Sequence, residues 1–393
     1  MKKRTVVSLL LALTMVFALC SCGGGEDTTP SEEPDNTAST SQSNTEEPSA
    51  SSNGGAVEEQ QPSADADQTE TPAETDYEYY NADYPDGFVY STSAIADYKK
   101  SAAAQQGTVE ALEYETPAYA VNAVLGTDYT ITKSVNVYLP YGYDPTQNYN
   151  ILYLMHGGGD NQDYWLTDGS DRVHGKTTRN VVDHMIEDGL CGSLIIVTPT
   201  FYSEVEGVEV TDDQCAAVVE QLGEDNYSTI SDLYTWYFQY ELHDQIIPLV
   251  ESKYATYAQG DVTPENLIAT RDHRAYAGLS MGSITSMHSI LMGNLDYISY
   301  VGSFSGAKTN VELFKSAIEE KFADYPVNYW FNGEGTGDIA FEEHYQFYYD
   351  VLEQMPDKFT DVDNAAIVVL DGAEHNYAAW IADLYNALLV FFQ

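Results

Sequence analysis

The residues best suited to chemistry in this 393-residue chain lie in Gly278-Leu279-Ser280-Met281-Gly282. The pattern G-x-S-x-G sets a serine on a sharp turn between a strand and a helix, with its hydroxyl pointing outward. Glycines there let strand and helix approach where a side chain would clash. The flanks fit that context. Arg274-Ala275-Tyr276-Ala277 is short, mostly apolar and bounded by charge, as a buried strand is, and Ser283 to Met292 has helical apolar spacing before Gly293-Asn294. Ser280 is therefore a candidate nucleophile.

A serine hydroxyl at neutral pH needs a base within hydrogen-bond reach. Of the eight histidines, His375 has the best position, after the apolar stretch Ala366–Leu370 and before the last helical stretch. His243, His288 and His344 fall inside helical stretches, His273 precedes the strand that leads to the serine, and His174 and His184 have no strand-end placement. The imidazole in turn needs an acid to fix its tautomer and stabilise the imidazolium. Asp338 is the first candidate, in the Gly-rich run Asn332-Gly333-Glu334-Gly335-Thr336-Gly337-Asp338 after the predicted strand Val327–Phe331. Glu334, nearer the strand end, and Asp371, in the same loop as His375, compete with it. A fourth part is His156-Gly157-Gly158-Gly159-Asp160, directly after Ile151–Met155. Attack on an ester carbonyl develops charge on oxygen, and each preorganised N–H donor aimed at it is worth on the order of 3 kcal/mol. The expected donors are the amides of Met281 and Gly158. The glycine run is not followed by Gly-Lys-Ser/Thr, which argues against a phosphate cradle.

The elements that must position these residues alternate along the chain. Val135–Leu139, Ile151–Met155, Leu194–Val197, Ile298–Phe304, Val327–Phe331 and Ala366–Leu370 read as strands. Between them, Thr178–Glu187, Asp232–Tyr254 (kinked or broken at Pro248), Val311–Phe322, Phe341–Leu352 and Tyr377–Phe392 read as helices. This implies an α/β fold with a mostly parallel central sheet covered by helices on both faces. Sites in such sheets form at the carboxyl ends of strands, where every candidate above falls. The order Ser280, Asp338, His375 is the nucleophile–acid–histidine order of the α/β-hydrolase fold. Ser203 to Ser231 holds eight acidic residues and no Lys or Arg, and reads equally as a segment overhanging the site or as a solvated surface loop.

The N-terminal part is organised differently. Residues 1–22 combine a basic start with an apolar run from Val6 to Leu19 that is too short to span a bilayer comfortably, the architecture of an export signal. The run ends in Leu19-Cys20-Ser21-Cys22-Gly23, which looks like a bacterial lipoprotein cleavage box, with Cys22 as the lipidated residue; plain secretion is the alternative. Residues 23–76 hold fourteen Asp or Glu, no Lys or Arg and no aromatic residue, so they read as a flexible acidic spacer. Residues 77–393 are long enough for one large core. The expected location is thus the outer face of the cell membrane, held only by an N-terminal lipid. Removing the spacer's −14 and the signal's +3 from the net −46 leaves −35 on residues 77–393, a field that repels nucleic acid and anionic membrane surfaces. No cofactor is required, and no CxxC or His/Cys cluster suggests a metal site. Cys191 and Cys215 form either a disulfide or two buried thiols.

From about Gly107 onward the chain resembles the feruloyl and acetyl xylan esterases of carbohydrate esterase family 1 and the wider esterase D group. The stretches that carry the resemblance are Asn136–Tyr143, Tyr153-Leu154-Met155-His156-Gly157-Gly158-Gly159 through Trp165, Gly278–Gly282, Gly335–Asp338 and His375–Trp380. The resemblance implies Ser280 as nucleophile, Asp338 and His375 as its partners, and the Gly158 and Met281 amides as oxyanion donors. It implies a polysaccharide-linked or small ester as substrate and leaves the acyl group open. Trp165, in the loop after the glycines, is the expected substrate contact; Trp330 and Trp380 fall within a strand and a helix and read as core. Two rivals stay open: an esterase or acyltransferase acting on a siderophore or small thioester, and a non-catalytic surface-binding lipoprotein.

Overall fold

Stretches that are apolar at every position become interior strands here. The computed structural model of the protein describes residues 79–84, 86–170, 172–223 and 229–393. The expected export signal, Cys22 and the spacer lie outside the described residues. Eight strands form one sheet: β1 (Thr108–Pro117), β2 (Thr130–Leu139), β3 (Asn150–Met155), β4 (Leu194–Thr198), β5 (Arg274–Leu279), β6 (Tyr300–Phe304), β7 (Tyr329–Gly337) and β8 (Ala365–Glu374). Their order is β1-β2-β4-β3-β5-β6-β7-β8. The pairs β1–β2 and β2–β4 are antiparallel, and every other pair is parallel.

Successive side chains of a strand point to opposite faces, so an all-apolar strand feeds two cores. Tyr153 and Met155 of β3 pack in one cluster with Ile195, Val197, Tyr276 and Trp330, while Leu152 and Leu154 pack in the other with Ile196, Ala275, Ala277 and Phe331. The helix Ile230–Glu241 covers the first face through Leu233, Tyr234 and Phe238. The helices Gly175–Glu187 and Tyr377–Val390 cover the second through Val181, Val182, Met185, Ile381, Leu384 and Leu388. The α/β-hydrolase sheet with helices on both faces is the architecture read from the sequence.

Several boundaries differ from the sequence reading. The edge strand β1 is absent from it, because only Leu112, Tyr114 and Thr116 are buried and charged residues alternate with them. The predicted long helix Asp232–Tyr254 is two helices joined by a π-helical turn at Leu242–Ile246; the turn lies directly before Pro248, whose missing N–H and ring disturb the regular helical pattern there. Strand β7 runs on through the Gly-rich stretch that read as a loop, with Gly333, Glu334 and Gly335 paired to Val368, Val369 and Leu370. Its glycines answer to packing: a Cβ at Gly333 would lie 2.3 Å from Asp383 Cγ, and one at Gly335 2.3 Å from the Ala373 carbonyl oxygen. Ser203 to Ser231 is not simply solvated, because the helix Asp212–Leu222 within it buries Cys215 and Val219. Cys191 and Cys215 are both free and buried, in different clusters, so the disulfide alternative is corrected to two thiols.

Candidate active site

The chain turns from one half of the sheet to the other between β3 and β5, and such switch points open a crevice at the strand ends. Met155 of β3 is in register with Gly278 of β5, and Leu279 with Phe304 of β6. The glycine loop after β3, Ser280 after β5 and Ser305-Gly306 after β6 therefore leave the sheet side by side.

Ser280 is held at φ 52°, ψ −118°, a strained backbone for a residue with a Cβ. Its N–H donates to the Phe304 carbonyl at 2.8 Å. A Cβ at Gly278 would lie 2.4 Å from the Gly282 carbonyl oxygen, and one at Gly282 2.5 Å from the His156 carbonyl oxygen. Both glycines thus sit against backbone that a side chain at either position would have to displace, so the turn keeps this geometry only with glycine at both.

The two residues expected to serve that serine come to it from β7 and β8. His375 Nε2 lies 3.0 Å from Ser280 Oγ, and His375 Nδ1 lies 2.8 Å from Asp338 Oδ1. The Ala340 amide also donates to Asp338 Oδ1, at 2.8 Å. Burial works to raise the Asp338 carboxyl, but hydrogen bonding from His375, Ala340 and Ser305 outweighs it and holds the carboxyl below its ordinary value. An ionised Asp338 only accepts, so Nδ1 carries the ring proton and Nε2 presents a lone pair to the hydroxyl. Trp380 packs edge-on to His375 at 5.1 Å and donates its indole N–H to Ser305 Oγ at 2.8 Å. The hydrogen-bonded chain can therefore take a proton from the hydroxyl and hold the resulting imidazolium.

Glu334, the rival acid, is engaged elsewhere. It is fully buried, with Oε1 2.6 Å from His344 Nδ1, and His344 Nε2 lies 2.9 Å from Asn332 Oδ1. Asn332 Nδ2 faces the Trp330 and Ala366 carbonyls, which fixes Oδ1 as the acceptor from Nε2. Nδ1 then accepts, and Glu334 donates to it as a carboxylic acid. Burial pushes Glu334 well above the usual carboxylate range, with the Asp338 charge adding to it, and burial pushes His344 down to about 3. Asp371 hydrogen-bonds to Tyr79 at 3.3 Å and takes no part in the arrangement.

Opposite the serine, Gly157 is buried and Gly158 exposed. A Cβ at Gly157 would stand 3.2 Å from Ser280 Cβ, and one at Gly158 3.0 Å from Met281 Sδ. The N–H groups of Gly158 and Met281 have no hydrogen-bond acceptor among the described residues. Met281 opens the helix Met281–Thr285, and first-turn amides lack helical acceptors. The loop itself is pinned: the Gly159 N–H donates to Tyr202 Oη at 2.9 Å, and His156 bonds the Gly157 carbonyl and Thr200 Oγ1 at 2.7 and 2.8 Å. Burial pushes His156 down to about 4, so it is a neutral structural ring.

Trp165 corrects the expectation of a substrate contact. Its side chain is 0% exposed, and its indole N–H donates to the Met155 carbonyl at 3.0 Å, so it braces β3 from inside. Sequence reasoning passed over Tyr202 and Ser305. Ser305 has φ 57° immediately after β6, and the strand-end rule applied to Ser303-Phe304-Ser305-Gly306 would have found it. Among the described residues no group of three or more His, Cys, Asp or Glu could hold a metal ion, and no helix is long and apolar enough to cross a membrane.

Comparison with known proteins gives a consistent set of matches. A family model described as "Putative esterase" matches residues 131–325. Endo-1,4-beta-xylanase Y of Acetivibrio thermocellus is 40% identical over 175 residues, covering 44% of this chain and 13% of the relative. An endo-1,4-beta-xylanase/feruloyl esterase of Xylanibacter ruminicola is 24% identical over 269 residues, covering 65% of this chain and 32% of the relative. The chain thus spans only a minor part of the length of these curated relatives. Among solved structures, an S954A mutant of the feruloyl esterase module from Clostridium thermocellum, complexed with sinapinate, is similar at 27% identity and a TM-score of 0.59. That match covers 81% of this chain and 96% of the module.

Proposed function

We propose that this chain, which belongs with the esterases of the α/β-hydrolase fold, is a serine carboxylic-ester hydrolase that removes feruloyl or acetyl groups from plant cell-wall xylan. The observation that carries the reading is the continuous hydrogen-bonded line from Ser280 Oγ through His375 to Asp338, at 3.0 and 2.8 Å. In this mechanism Ser280 attacks the ester carbonyl as His375 takes its proton. The amides of Gly158 and Met281 receive the oxyanion. The alcohol leaves with the proton from His375, and water then cleaves the acyl-enzyme by the same route. The choice of substrate is supported by the xylanase and feruloyl esterase relatives.

We also propose export, with residues 1–22 as a lipoprotein signal, Cys22 as the lipid-bearing residue, 23–76 as a tether and 77–393 as the esterase domain. A tethered hydrolase at the outer surface would meet polymeric substrate directly.

The test is a panel of methyl ferulate, acetylated xylan and aryl acetates, run with wild type and Ser280→Ala. Wild type turns over at least one ester. Ser280→Ala loses at least 10³-fold in kcat and no longer forms an adduct with a fluorophosphonate. Equal turnover by the mutant removes the serine mechanism.

A further inference from the structure

Asp338 and His375 stand just past a break in the sheet. The ladder between β7 and β8 pairs Gly335 with Leu370 and resumes only at Gly337 with Glu374, so Thr336 of β7 lies opposite Asp371, Gly372 and Ala373 of β8. Asp338 follows directly on Gly337, and His375 on Glu374. The Gly372 amide donates to Thr336 Oγ1 across the break at 2.7 Å. An interrupted ladder does not by itself fix how one strand end stands against the other.

A segment far upstream is bonded to the elements on both sides of the break. β8 is an edge of the sheet, and side chains from residues 79–84 meet its outward-facing backbone. Asn81 Nδ2 donates to the Val369 carbonyl at 3.1 Å, and its Oδ1 accepts from the Val369 amide at 2.8 Å. Tyr84 Oη accepts from the Ile367 amide at 3.0 Å and shares its proton between the Ile367 carbonyl and Asp361 Oδ1, both at 3.2 Å. A carboxamide carries a donor and an acceptor as a peptide group does, so Asn81 pairs with the edge in place of a neighbouring strand. The same segment reaches the helix Phe341–Gln354, which begins three residues after Asp338. The Tyr80 amide donates to Tyr345 Oη at 2.9 Å, and the Tyr79 ring meets Phe341 edge-on at 6.5 Å. Tyr79 Oη also donates to Asp371 Oδ1 at 3.3 Å, inside the break. Water satisfies an exposed strand edge without immobilising side chains, so the pairing of polar groups alone does not call for these bonds.

We propose that residues 79–84 are a clasp that sets Asp338 against His375, with Asn81 and Tyr84 as positioning residues; the proposal rests on the esterase reading above. Asn81 and Tyr84 hold the strand that leads into His375, while Tyr79 and Tyr80 hold the helix that follows Asp338. The bond between Asp338 Oδ1 and His375 Nδ1, at 2.8 Å, is the contact that the clasp maintains. A misplacement of about 1 Å costs up to about 10²-fold in rate. The clasp lies ahead of Gly107, where the family resemblance starts, so the catalytic unit of this chain includes a part outside that resemblance.

The experiment uses the full chain, with methyl ferulate as substrate, in Asn81→Ala, Tyr84→Phe and Asn386→Ala. Asn386 also makes two bonds to the upstream segment, to the Val89 amide and carbonyl at 2.8 Å each, but these tie it to the last helix rather than to β8. Asn81→Ala lowers kcat about tenfold with KM within about twofold of wild type, and Tyr84→Phe, which keeps the ring, lowers kcat about threefold. Asn386→Ala loses similar stability in urea but keeps kcat within about twofold. In an Asp338→Asn background the cost of Asn81→Ala shrinks to below about twofold, because the charge that the clasp places is gone. Wild-type kcat in both Asn81→Ala and Tyr84→Phe overturns the clasp, whether or not stability falls. An equal loss of kcat in Asn386→Ala overturns it too, as does a cost of Asn81→Ala that is the same in both backgrounds. All three outcomes leave wild-type turnover intact; wild type that cleaves no ester sinks the esterase reading, and the clasp with it.

Discussion

Replacing Asp338 with asparagine separates two ways in which the acid could serve His375. In the tautomer view, an amide N–H opposite Nδ1 turns the ring over and aims an N–H at the serine, a loss of about 10⁴ in the serine-protease template. The geometry here argues for a smaller loss. Asp338 Oδ1 accepts two hydrogen bonds at once, from His375 Nδ1 and from the Ala340 amide, both at 2.8 Å. The Ala340 N–H demands an oxygen at that position, so the asparagine carbonyl stays where Oδ1 was and the tautomer survives. What disappears is the negative charge beside the imidazolium. Two unit charges about 4 Å apart interact by roughly 4 kcal/mol at an effective dielectric near 20, which is about 10³-fold in rate. Asp338→Asn is thus expected to lower kcat for methyl ferulate by about 10³, with KM within a few-fold of wild type, because the charge forms only in the transition state. The parallel variant is Glu334→Gln, which removes a carboxylic acid bonded to His344 at 2.6 Å. Its kcat stays within about tenfold of wild type, since a protonated acid adds no charge to His375. Steady-state kinetics on the two purified variants, with circular dichroism to verify folding, makes the comparison. Asp338→Asn retaining a tenth of wild-type kcat, or Glu334→Gln losing as much as Asp338→Asn, would refute the assignment.

Three further perturbations probe the frame around the site. Gly278→Ala forces a Cβ to within 2.4 Å of the Gly282 carbonyl oxygen, so it costs about 1–3 kcal/mol in urea denaturation and displaces Ser280; full activity would show that the turn relaxes freely. Glu251→Gln leaves Arg274 buried at 1% exposure without its paired charge, having lost contacts that include Nη2 to Oε2 at 3.1 Å, and is expected to destabilise by about 3–5 kcal/mol; a loss below 1 kcal/mol would contradict this. Asp383 is fully buried with neither carboxyl oxygen partnered, and burial, with Glu334 and Asp338 behind it, lifts it well above its ordinary 3.8. The folded state then binds more protons than the unfolded chain above about pH 4, so wild-type stability falls as pH rises through that window. Asp383→Asn escapes the loss, and its stability advantage grows by up to about 1.4 kcal/mol per pH unit as pH rises above about 4; a difference that is flat with pH would sink the reasoning.

What the sequence made legible, and what it hid, divides along one physical line. Interior strands such as Ile151–Met155 announce themselves because both faces are buried, so no polar residue interrupts them. The elbow announces itself because the backbone contacts around Ser280 admit only glycine at 278 and 282. Chain order then brings His375 and Asp338 to the same rim, since parallel strands deliver all their carboxyl ends to one edge. The edge strand β1 was hidden because one exposed face lets Glu113 and Glu115 interrupt its apolar residues. Trp165 was misjudged for a related reason: position in a loop says nothing about which way a side chain turns, and the indole turned inward to satisfy the Met155 carbonyl. The Gly-rich run 332–338 misled most. Glycines suggest a turn because they bend easily, yet Gly333 and Gly335 stand in a paired strand, where the missing Cβ makes room for Asp383 and the Ala373 carbonyl. That close packing puts three carboxyl groups, Glu334, Asp338 and Asp383, near enough to act on one another behind His375. A buried group of that kind can hold only a limited charge, so two members are pushed towards neutrality while Asp338, with its hydrogen bonds, keeps its ionised form. The glycines that obscured the strand thus make room for carboxyls that go neutral, while hydrogen bonds from His375, Ala340 and Ser305 keep Asp338 the one that stays charged.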